Sequence, residues 1–421
     1  MTLKSGYQAV DIPRERAGEM LEVDGWAFAN TAQVATEEEL KGVIDWERAR
    51  GVEVTDPTLG TPGTMVAVHS SHPYEMRVPG GGTVTTTGLT WVGVHSGHRR
   101  RGLLTSMIDE HFARGLARGE IVSTLYAAET AIYQRFGYGL ACHGFALSTG
   151  RGPGLRKLEG SDELRIDLEN ADIERHASVL RDVLGRVTRP GAHATVSDPL
   201  MRDMFLDPEL WREGAERLRV AVVHDEHGPA AFATFSRKAE WENGEPGGTL
   251  NVWTWAAATA AAERRLFSVI LDLDLLSKVK ARNFSGDDPL MFLLDDIRGA
   301  HFTLRDNIWV RLLDLPKALA ARTYSADAEV LVQVADPQLP DNAGLWRVRI
   351  SGGSADVSKE SADGASPDLT LTIQDLGAAY LGGVTLSSLA KAGLVTGAPG
   401  SIAALSAAFA GDEKPVSPLS F

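Results

Sequence analysis

The sequence predicts a mixed α/β (α+β) protein that consists of three successive units, and three observations support this. The chain has 421 residues, which is too many for one hydrophobic core. Short β-branched runs alternate with amphipathic helical runs along most of it. The order of strands and helices in the first unit recurs in the second, which indicates an internal duplication. The predicted units span residues 1–150, 151–311 and 312–421.

Composition narrows the class of protein further. Hydrophobic residues make up 43% and charged residues 23% of the chain, which is typical of globular proteins. The formal charge of −14 disfavours a nucleic-acid surface and is compatible with cationic substrates. Cys142 is the one cysteine, so no intrachain disulfide can form. The chain has no apolar run long enough for a membrane span and no signal-like start, and we therefore expect a cytoplasmic protein.

Hydrophobic periodicity and turn residues place the elements of the first unit. They predict a helix over 37–50, strands over 64–70, 84–90 and 91–94, a helix from 103 to about Gly119, a strand over 121–125, a short helix over 130–136 and a strand over 141–147.

The same signals continue through the other two units. They predict a strand over 164–168, a helix over 171–184, strands over 218–224, 230–235 and 249–255, a helix over 259–275, strands over 328–334, 345–350 and 369–373, and helices over 376–381 and 386–392.

Residues 91–105 carry the most informative pattern in the chain. An apolar strand leads through a glycine-containing basic turn into a helix, whose first N–H groups attract anions. Gly102 permits close approach of a ligand to the backbone, and Arg99, Arg100 and Arg101 add donors suited to phosphate oxygens. We interpret this stretch as a pyrophosphate site, the alternative being an ordinary turn with a solvated basic cluster. The Walker and dinucleotide fingerprints do not fit its residues or glycine spacing.

Two motifs resemble those of a known family. Arg99-x-x-Gly102-x-Leu104 resembles the coenzyme A loop of the GNAT acetyltransferase superfamily, although Leu104 stands where a small residue is usual. The string His-Arg-Arg-Arg-Gly-Leu-Leu-Thr at 98–105 and the segment 126–139 resemble the corresponding segments of the Enhanced intracellular survival (Eis) family. The resemblance covers the whole chain, sharply at these two motifs and loosely elsewhere.

The resemblance implies tandem GNAT folds, with an active N-terminal and a degenerate central copy, followed by a sterol-carrier-like domain. It also implies acetyl-CoA as co-substrate and a homo-oligomer, a hexamer in relatives. The central copy has Ala-Ala-Ala-Thr-Ala-Ala-Ala at 256–262, with no glycine and no arginine before Arg264. Since the basic glycine turn is missing there, we expect this copy to bind no coenzyme A.

We expect the cofactor to contact the strand, the basic turn, the helix start and the second motif. No metal is expected. The predicted contacts are Val92, Gly93, Val94, Arg99, Arg100, Arg101, Gly102, Leu103, Leu104, Thr105, Ala128 and Glu129.

Acetyl transfer to an amine needs a base and a donor to the leaving thiolate, because an alkyl amine of pKa about 10.4 is mostly protonated at pH 7. Tyr133 is the predicted donor, with Tyr138 as a rival, and the resemblance also implies a general acid at Tyr133. The base implied by the resemblance is the terminal carboxylate of Phe421. His69, His95 and His98 are alternatives.

The sequence leaves the identity of the amine acceptor open. The resemblance implies an aminoglycoside-type or other cationic primary amine, but Ser420 and Asn30 stand where relatives can carry acidic residues. The alternatives are a protein lysine or a polyamine. A different class, a lipid carrier that retains an inactive GNAT unit, would show a long apolar tunnel in the last domain and no acetyl-CoA binding.

Overall fold

The computed structural model describes residues 3–29, 37–361 and 366–421. The N-terminal part of the chain supplies most of one mixed sheet and the helices that cover it. Its elements are β1 (Tyr7–Asp11), α1 (Ala17–Phe28), α2 (Glu37–Leu40), β2 (Arg50–Val54), β3 (Met65–Arg77), β4 (Thr83–Val94), α3 (Leu103–Ala117), β5 (Val122–Leu125), α4 (Thr130–Tyr133) and β6 (Gly139–Leu140).

The central part forms a second mixed sheet with its own helices. Its elements are β7 (His143–Thr149), β8 (Arg165–Asn170), α5 (Ile173–Arg186), α6 (Asp198–Met204), β9 (Arg219–Asp225), β10 (Gly228–Lys238), β11 (Trp241–Glu242), β12 (Glu245–Pro246), β13 (Gly248–Ala257), α7 (Ala260–Ile270), β14 (Leu276–Phe284), α8 (Pro289–Leu293), β15 (Thr303–Asp306) and β16 (Trp309–Leu312).

The C-terminal part forms a third sheet packed by helices. Its elements are α9 (Leu315–Ala320), β17 (Ala328–Ala335), β18 (Gly344–Ser351), β19 (Ser354–Glu360), β20 (Leu369–Thr372), α10 (Ile373–Ala379), α11 (Leu386–Lys391), β21 (Thr396–Gly397) and α12 (Pro399–Phe409). Across the described residues, no helix is long and apolar enough to cross a membrane.

The predicted duplication is visible in the strand pairing. In the first unit, β3 and β4 pair antiparallel, and α3 then crosses over so that β5 pairs parallel with β4. In the second unit, β10 and β13 pair antiparallel, and α7 crosses over so that β14 pairs parallel with β13. The two units therefore share one topology.

The first two sheets exchange strands. The first has the order β1-β2-β3-β4-β5-β16-β6, and the second has the order β15-β7-β14-β13-β10-β9-β8. Strand β7 precedes position 150, yet it pairs with β14 and β15 of the second sheet. Strand β16 follows the whole central unit, yet it pairs with β5 and β6 of the first. The predicted limits at 150 and 311 thus divide the chain by sequence, while the sheets interlock across them.

Two predicted helices are shorter than expected. The helix over 37–50 ends at Leu40, where turns take over and the Trp46 indole donates to the Lys41 carbonyl at 3.0 Å. The helix over 259–275 ends at Ile270, and the chain returns as β14, which the sequence reading missed. In β14 apolar and basic residues alternate, and Val279 and Ala281 are buried while Lys280 is exposed, as expected for a strand with one solvent face.

Candidate active site

The predicted pyrophosphate site is an uncapped helix start. Gly102 adopts φ +83, a left-handed conformation that favours glycine, and immediately precedes α3. No side chain of a described residue caps this end of the helix. A Cβ added at Gly102 would have one described neighbour within 4 Å, the Lys4 side chain at 3.8 Å, so the described residues leave the space in front of the turn open. The first N–H groups of α3 are thus available to an anion.

The three arginines of this turn are available to bind an anion. Arg99 and Arg100 are exposed and Arg101 is half-buried, and none forms an ion pair with a described residue. The Leu103 side chain is buried, so that residue can offer a ligand only its backbone. Leu104 packs beside Val92 in the core, which explains why a large residue fits there. Thr105 is half-buried in the first turn of α3.

Strand β4 separates from β5 partway along its length. It pairs with β5 at Thr86, Thr87 and Gly88, so the two strands have separated five residues before Gly93. Beyond that point a bulge places Trp91 and Val92 opposite His69, and Trp91 adopts φ +56. Bulges re-aim groups and interrupt pairing beside active sites. Val92, Gly93 and Val94 therefore follow an irregular part of β4 on the open side of the sheet.

The two candidate tyrosines differ in what their hydroxyls do. The Tyr138 side chain is fully buried, and its hydroxyl is hydrogen-bonded to Ser123 Oγ at 2.7 Å, which also contacts His111 Nε2 at 2.8 Å. The Tyr133 side chain is half-buried, and its hydroxyl has no hydrogen bond to a described residue. Burial, followed by the charge of Glu129, raises the pKa of Tyr133 to about 12. Tyr133 is therefore a protonated donor that remains available.

A buried arginine, which the sequence reading missed, holds the segment that carries Tyr133. Arg311 donates from Nε to the Phe136 carbonyl at 2.9 Å and from Nη2 to both oxygens of Asp336 at 2.8 Å. Both partners of the ion pair are fully buried. The C-terminal unit thereby supports the turn that follows α4.

Phe421 lies at the point where β4 and β5 separate. A Cβ on Gly88 would meet its ring at 2.4 Å, so only glycine leaves room for this contact. The neighbouring residue Leu89 belongs to the cluster against which Tyr133 packs. Because successive strand residues point to opposite faces, the Phe421 ring lies on the face of β4 to which Gly88 points, whereas the cluster that contains Leu89 and packs against Tyr133 lies on the other face.

The tail before Phe421 is clamped by asparagine side chains. The Ser417 N–H donates to Asn307 Oδ1 at 2.8 Å, and Asn307 Nδ2 donates to the Ser417 carbonyl at 3.1 Å. Asn283 Nδ2 donates to the Pro418 carbonyl at 3.1 Å. Cys142 is buried, its thiol donates to Asn307 Oδ1 at 3.2 Å, and burial raises its pKa to about 12.

The alternative histidine bases are engaged or inaccessible. His69 is buried, its pKa is lowered to about 3 chiefly by burial, and neither ring nitrogen has a partner among the described residues. His95 Nδ1 accepts from the Gly97 N–H at 3.1 Å. His98 Nδ1 is 3.0 Å from the Tyr7 hydroxyl. His72 and His193, which the sequence did not single out, instead pack against the Phe421 ring at 5.7 and 6.1 Å between centroids.

A cleft of about 610 Å³ opens beside this point. Tyr126, whose ring is 5.2 Å from that of Phe421, and Ser420 lie at one end of it. Ala127 and Asn307 also line it, and the rest of the lining comes from β7, β13, β14 and β15 of the second sheet. The cleft is large enough for a small acceptor molecule.

The remaining residues singled out from the sequence are exposed or lie outside the described residues. Ala128 and Glu129 are exposed just before α4. Asn30 lies outside the described residues. Among the described residues, no group of three histidine, cysteine or acidic side chains could hold a metal ion.

The central unit differs at the matching place. Helix α7 begins after Thr259, whose hydroxyl accepts from the Ala262 N–H at 3.2 Å. The cavity there, of about 250 Å³, is lined by Glu263 and Asp288 together with Arg189. Its helix start is thus capped and faces carboxyl groups.

Sequence comparison identifies each part of the chain. Residues 12–141 and 202–312 each match an acetyltransferase (GNAT) domain, and residues 315–418 match a sterol carrier protein domain. These matches confirm the predicted tandem GNAT and sterol-carrier-like architecture. An uncharacterized N-acetyltransferase of Streptomyces avermitilis is 36% identical over 402 residues, covering 94% of this chain and 95% of its own.

Two Eis proteins are similar over most of the chain. N-acetyltransferase Eis of Mycobacterium tuberculosis is 30% identical over 382 residues, covering 86% of this chain and 87% of its own. The crystal structure of Eis1 from Mycobacterium abscessus superposes with a TM-score of 0.80 at 28% identity, covering 98% of this chain and all of that one. GNAT acetyltransferases use acetyl-CoA, which fits the open, arginine-bearing helix start. The chain therefore belongs to the Eis family of GNAT N-acetyltransferases, as its two motifs predicted.

Proposed function

We propose that this enzyme transfers an acetyl group directly from acetyl-CoA to a primary amine, with Tyr133 as donor to the leaving sulfur and the terminal carboxylate of Phe421 as base. The observation that carries this proposal is the contrast between the two tyrosines. Tyr138 is held in a buried hydrogen-bond network, whereas the Tyr133 hydroxyl has no hydrogen bond to a described residue and its side chain packs against the cluster that contains Leu89 of β4.

The residues divide the work as follows. Backbone N–H groups at the start of α3 and the guanidinium groups of 99–101 bind the diphosphate, and the irregular part of β4 orients the thioester. A phenol of pKa about 12 would lose about 5 kcal/mol in full transfer to a thiolate of pKa about 8.5, so Tyr133 shares its proton as charge develops. Such donors contribute roughly 10²- to 10⁴-fold in rate.

The position of the C-terminal tail supports the terminal carboxylate of Phe421 as the base. The clamp on Ser417 and the packing of the Phe421 ring on Gly88 fix the last residue beside the reacting end of β4. A carboxylate there accepts the amine proton before attack. Buried, neutral His72 and His193 support the ring rather than take the proton, since burial lowers their pKa values to about 4 and 3.

We propose that the acceptor amine enters through the cleft of about 610 Å³. Aminoglycosides, polyamines and protein lysines were the candidates from the sequence. A polycation needs carboxylates, and the acidic side chain that lines the described cleft is Asp306, which already accepts from the Trp309 indole at 3.0 Å. This favours an acceptor other than a polycation. We further propose a cytoplasmic location. We also propose a homo-oligomer, and light scattering on the purified chain can test this oligomeric state.

The lipid-carrier alternative has less support. It requires a long apolar tunnel in the C-terminal unit, but the cavity between Leu315, Trp346 and Phe409 measures about 10 Å³. That volume is at most one water molecule.

The proposal is tested by thiol release from acetyl-CoA with a panel of primary amines. Turnover with at least one amine is expected, and an enzyme with two or three residues added after Phe421 should lose it while keeping its acetyl-CoA affinity and melting temperature. Full activity in the extended chain would remove the terminal carboxylate from the mechanism. Failure of all amines to release thiol would contradict the proposed reaction.

A further inference from the structure

The floor of the cleft is a strand with small side chains. On β7, Gly144, Ala146 and Ser148 line the cleft and lie on one face, because they alternate along the strand. Phe145 and Leu147 also border the cleft but alternate with these residues on the other face of β7, where Leu147 is part of the hydrophobic core. A trough therefore runs along β7 between the taller side chains of its two neighbours, β14 and β15.

Both walls of this trough carry basic side chains. Lys280 of β14 lies opposite Ser148, and Arg305 of β15 lies opposite Gly144, so each projects on the same face as its small partner. Arg282 follows Lys280 by two residues and also lines the cleft. Long cationic side chains thus border the floor from two directions.

These cations are not neutralised locally. Lys280, Arg282 and Arg305 are exposed, and none forms an ion pair with a described residue. Asp306 is the acidic side chain among the residues that line the cleft, and the Trp309 indole donates to it. In a chain with a formal charge of −14, a cleft with this excess of unpaired cations is a local reversal of sign. A negative ligand would be attracted to it.

The cleft also offers an apolar surface. Trp253 on β13 is 46% exposed, and its indole N–H donates to Ser236 Oγ at 3.0 Å, which fixes the ring. Tyr126 stands at the end nearest Phe421. An acceptor could therefore place its body against Trp253 and its amine towards the tail.

We infer that the acceptor of this enzyme carries an anionic group, a carboxylate or a phosphate, in addition to its primary amine. Lys280, Arg282 and Arg305 bind that group on the walls of the trough, and the amine reaches the end of the cleft where Tyr126 and Ser420 lie beside Phe421. This inference rests on the proposed function, because it names the acceptor of that reaction. A polycationic acceptor meets like charges at the same place and is disfavoured.

The test uses acceptor pairs that differ only in the anionic group. Glycyl-tyrosine is compared with glycyl-tyrosinamide for the carboxylate, and O-phosphoethanolamine with ethanolamine for the phosphate. At least one anionic member should have kcat/KM about tenfold or more above its neutral partner, as expected for hydrogen bonds to charged groups. Whichever pair shows the larger ratio identifies the anion. An aminoglycoside should be a poorer acceptor than that anionic member.

Variants assign the effect to the trough. Arg305→Gln and Arg282→Gln should each reduce the ratio several-fold towards one. Lys278→Gln is the matched control, because it removes the same charge from β14 outside the residues that line the cleft, and it should leave the ratio at the wild-type value. An equal loss in Lys278→Gln would mean that long-range charge, and not this site, is responsible.

Calorimetric binding of the same pairs separates this inference from the proposed function. If no amine is acetylated but an anionic member binds more tightly than its neutral partner, and Arg305→Gln removes the difference, the site stands while the proposed reaction fails. Equal kcat/KM within both pairs in an active enzyme, or a ratio unaffected by either arginine variant, overturns the inference. So does a higher kcat/KM for an aminoglycoside than for both anionic acceptors.

Discussion

The two GNAT units share a crossover but differ at its helix start. In the first unit, Gly102 precedes α3, and no described side chain caps that helix or forms an ion pair with the arginines of 99–101. In the central unit, the Thr259 hydroxyl occupies the corresponding place on α7 by accepting the Ala262 N–H. A phosphate oxygen and a capping hydroxyl satisfy the same kind of backbone donor, so they compete for it. In the central unit the capping hydroxyl therefore occupies a backbone donor of the kind that the first unit leaves available to an anion.

The difference extends to charge and to the chemistry that follows. The cavity at α7 is lined by Glu263 and Asp288, and burial, followed by the charge of Asp288, raises the pKa of Glu263 well above its ordinary value. The helix after β5 carries Tyr133, whereas the one after β14, α8, has the sequence Pro-Leu-Met-Phe-Leu. The two units thus share their topology. Of these two described units, only the first has the arginine-bearing turn of 99–102 and a tyrosine at the place of Tyr133.

Among the predicted changes, removal of the Tyr133 hydroxyl should have the largest effect. Tyr133→Phe should lower kcat by about 10²- to 10⁴-fold while the Kd for acetyl-CoA stays nearly constant, because the lost hydroxyl acts on the leaving sulfur. Steady-state kinetics and calorimetry measure the two quantities. Tyr138→Phe is the control, since its hydroxyl belongs to the network with Ser123, and it should lower the melting temperature more than kcat. Unchanged turnover in Tyr133→Phe would contradict the assignment.

Removing a cation from the turn should have the next largest effect. Arg100→Ala should weaken acetyl-CoA binding about tenfold, as expected for loss of a charge-assisted contact to phosphate, and the loss should shrink at high salt. Arg265→Ala on α7 removes the same charge from the central unit, where Nε donates to the Leu164 carbonyl at 2.9 Å. It should affect melting temperature but not the calorimetric Kd. An equal loss of affinity in both variants would argue against a specific contact at Arg100.

The two family motifs were recognisable in the sequence because the residues of each lie close together along the chain. A glycine, three arginines and a tyrosine act through their own backbone and neighbours, so the motifs 98–105 and 126–139 indicated the family. Features formed by distant parts of the chain were missed. Asn307 holds Ser417 across 110 residues, and Arg311 holds Phe136 across 175. No periodicity or turn signal encodes such pairs, and the exchange of β7 and β16 between sheets likewise joins parts of the chain that are distant in sequence.

Strand β14 was missed for a different reason. Its neighbour α7 has a strong helical pattern, and the predicted helix was extended over the residues that link the two. Leu275 adopts φ +63 at the start of β14, a conformation that a leucine in a helix does not take. The basic side chains of β14, which the sequence reading left out, supply one wall of the acceptor trough.

The buried carboxyl pair of the central unit predicts a pH-dependent stability. Glu263 has a raised pKa when folded, so the native state holds a proton that the unfolded chain releases above its ordinary value of 4.5. Stability is therefore present at low pH and lost as pH rises towards the folded pKa. Glu263→Gln mimics the protonated acid, because its carbonyl can accept from the Leu290 N–H and its amide can donate to Asp288.

This variant should flatten the decline in melting temperature between pH 5 and pH 8. A gain of about 2–4 °C at pH 8 corresponds to about 1 kcal/mol for units of this size. Differential scanning calorimetry across that range gives the comparison, and the Kd for acetyl-CoA should not change. A variant that melts in parallel with the wild type at every pH would mean that Glu263 is ionised in the folded protein.

The smallest predicted effect tests whether capping alone separates the two helix starts. Thr259→Ala exposes the Ala262 N–H and should cost about 1 kcal/mol of stability, while Thr259→Ser keeps the cap and should cost less. Because the start of α7 still lacks a basic turn like that of 99–101 and faces Glu263 and Asp288, with Arg189 beside them, calorimetry should find one acetyl-CoA per chain in both variants. Binding of a second acetyl-CoA in Thr259→Ala would show that the cap was the sole barrier. Persistence of a single site would instead assign selectivity to the cations of 99–101, since an uncapped helix start without them attracts too little charge to hold a diphosphate.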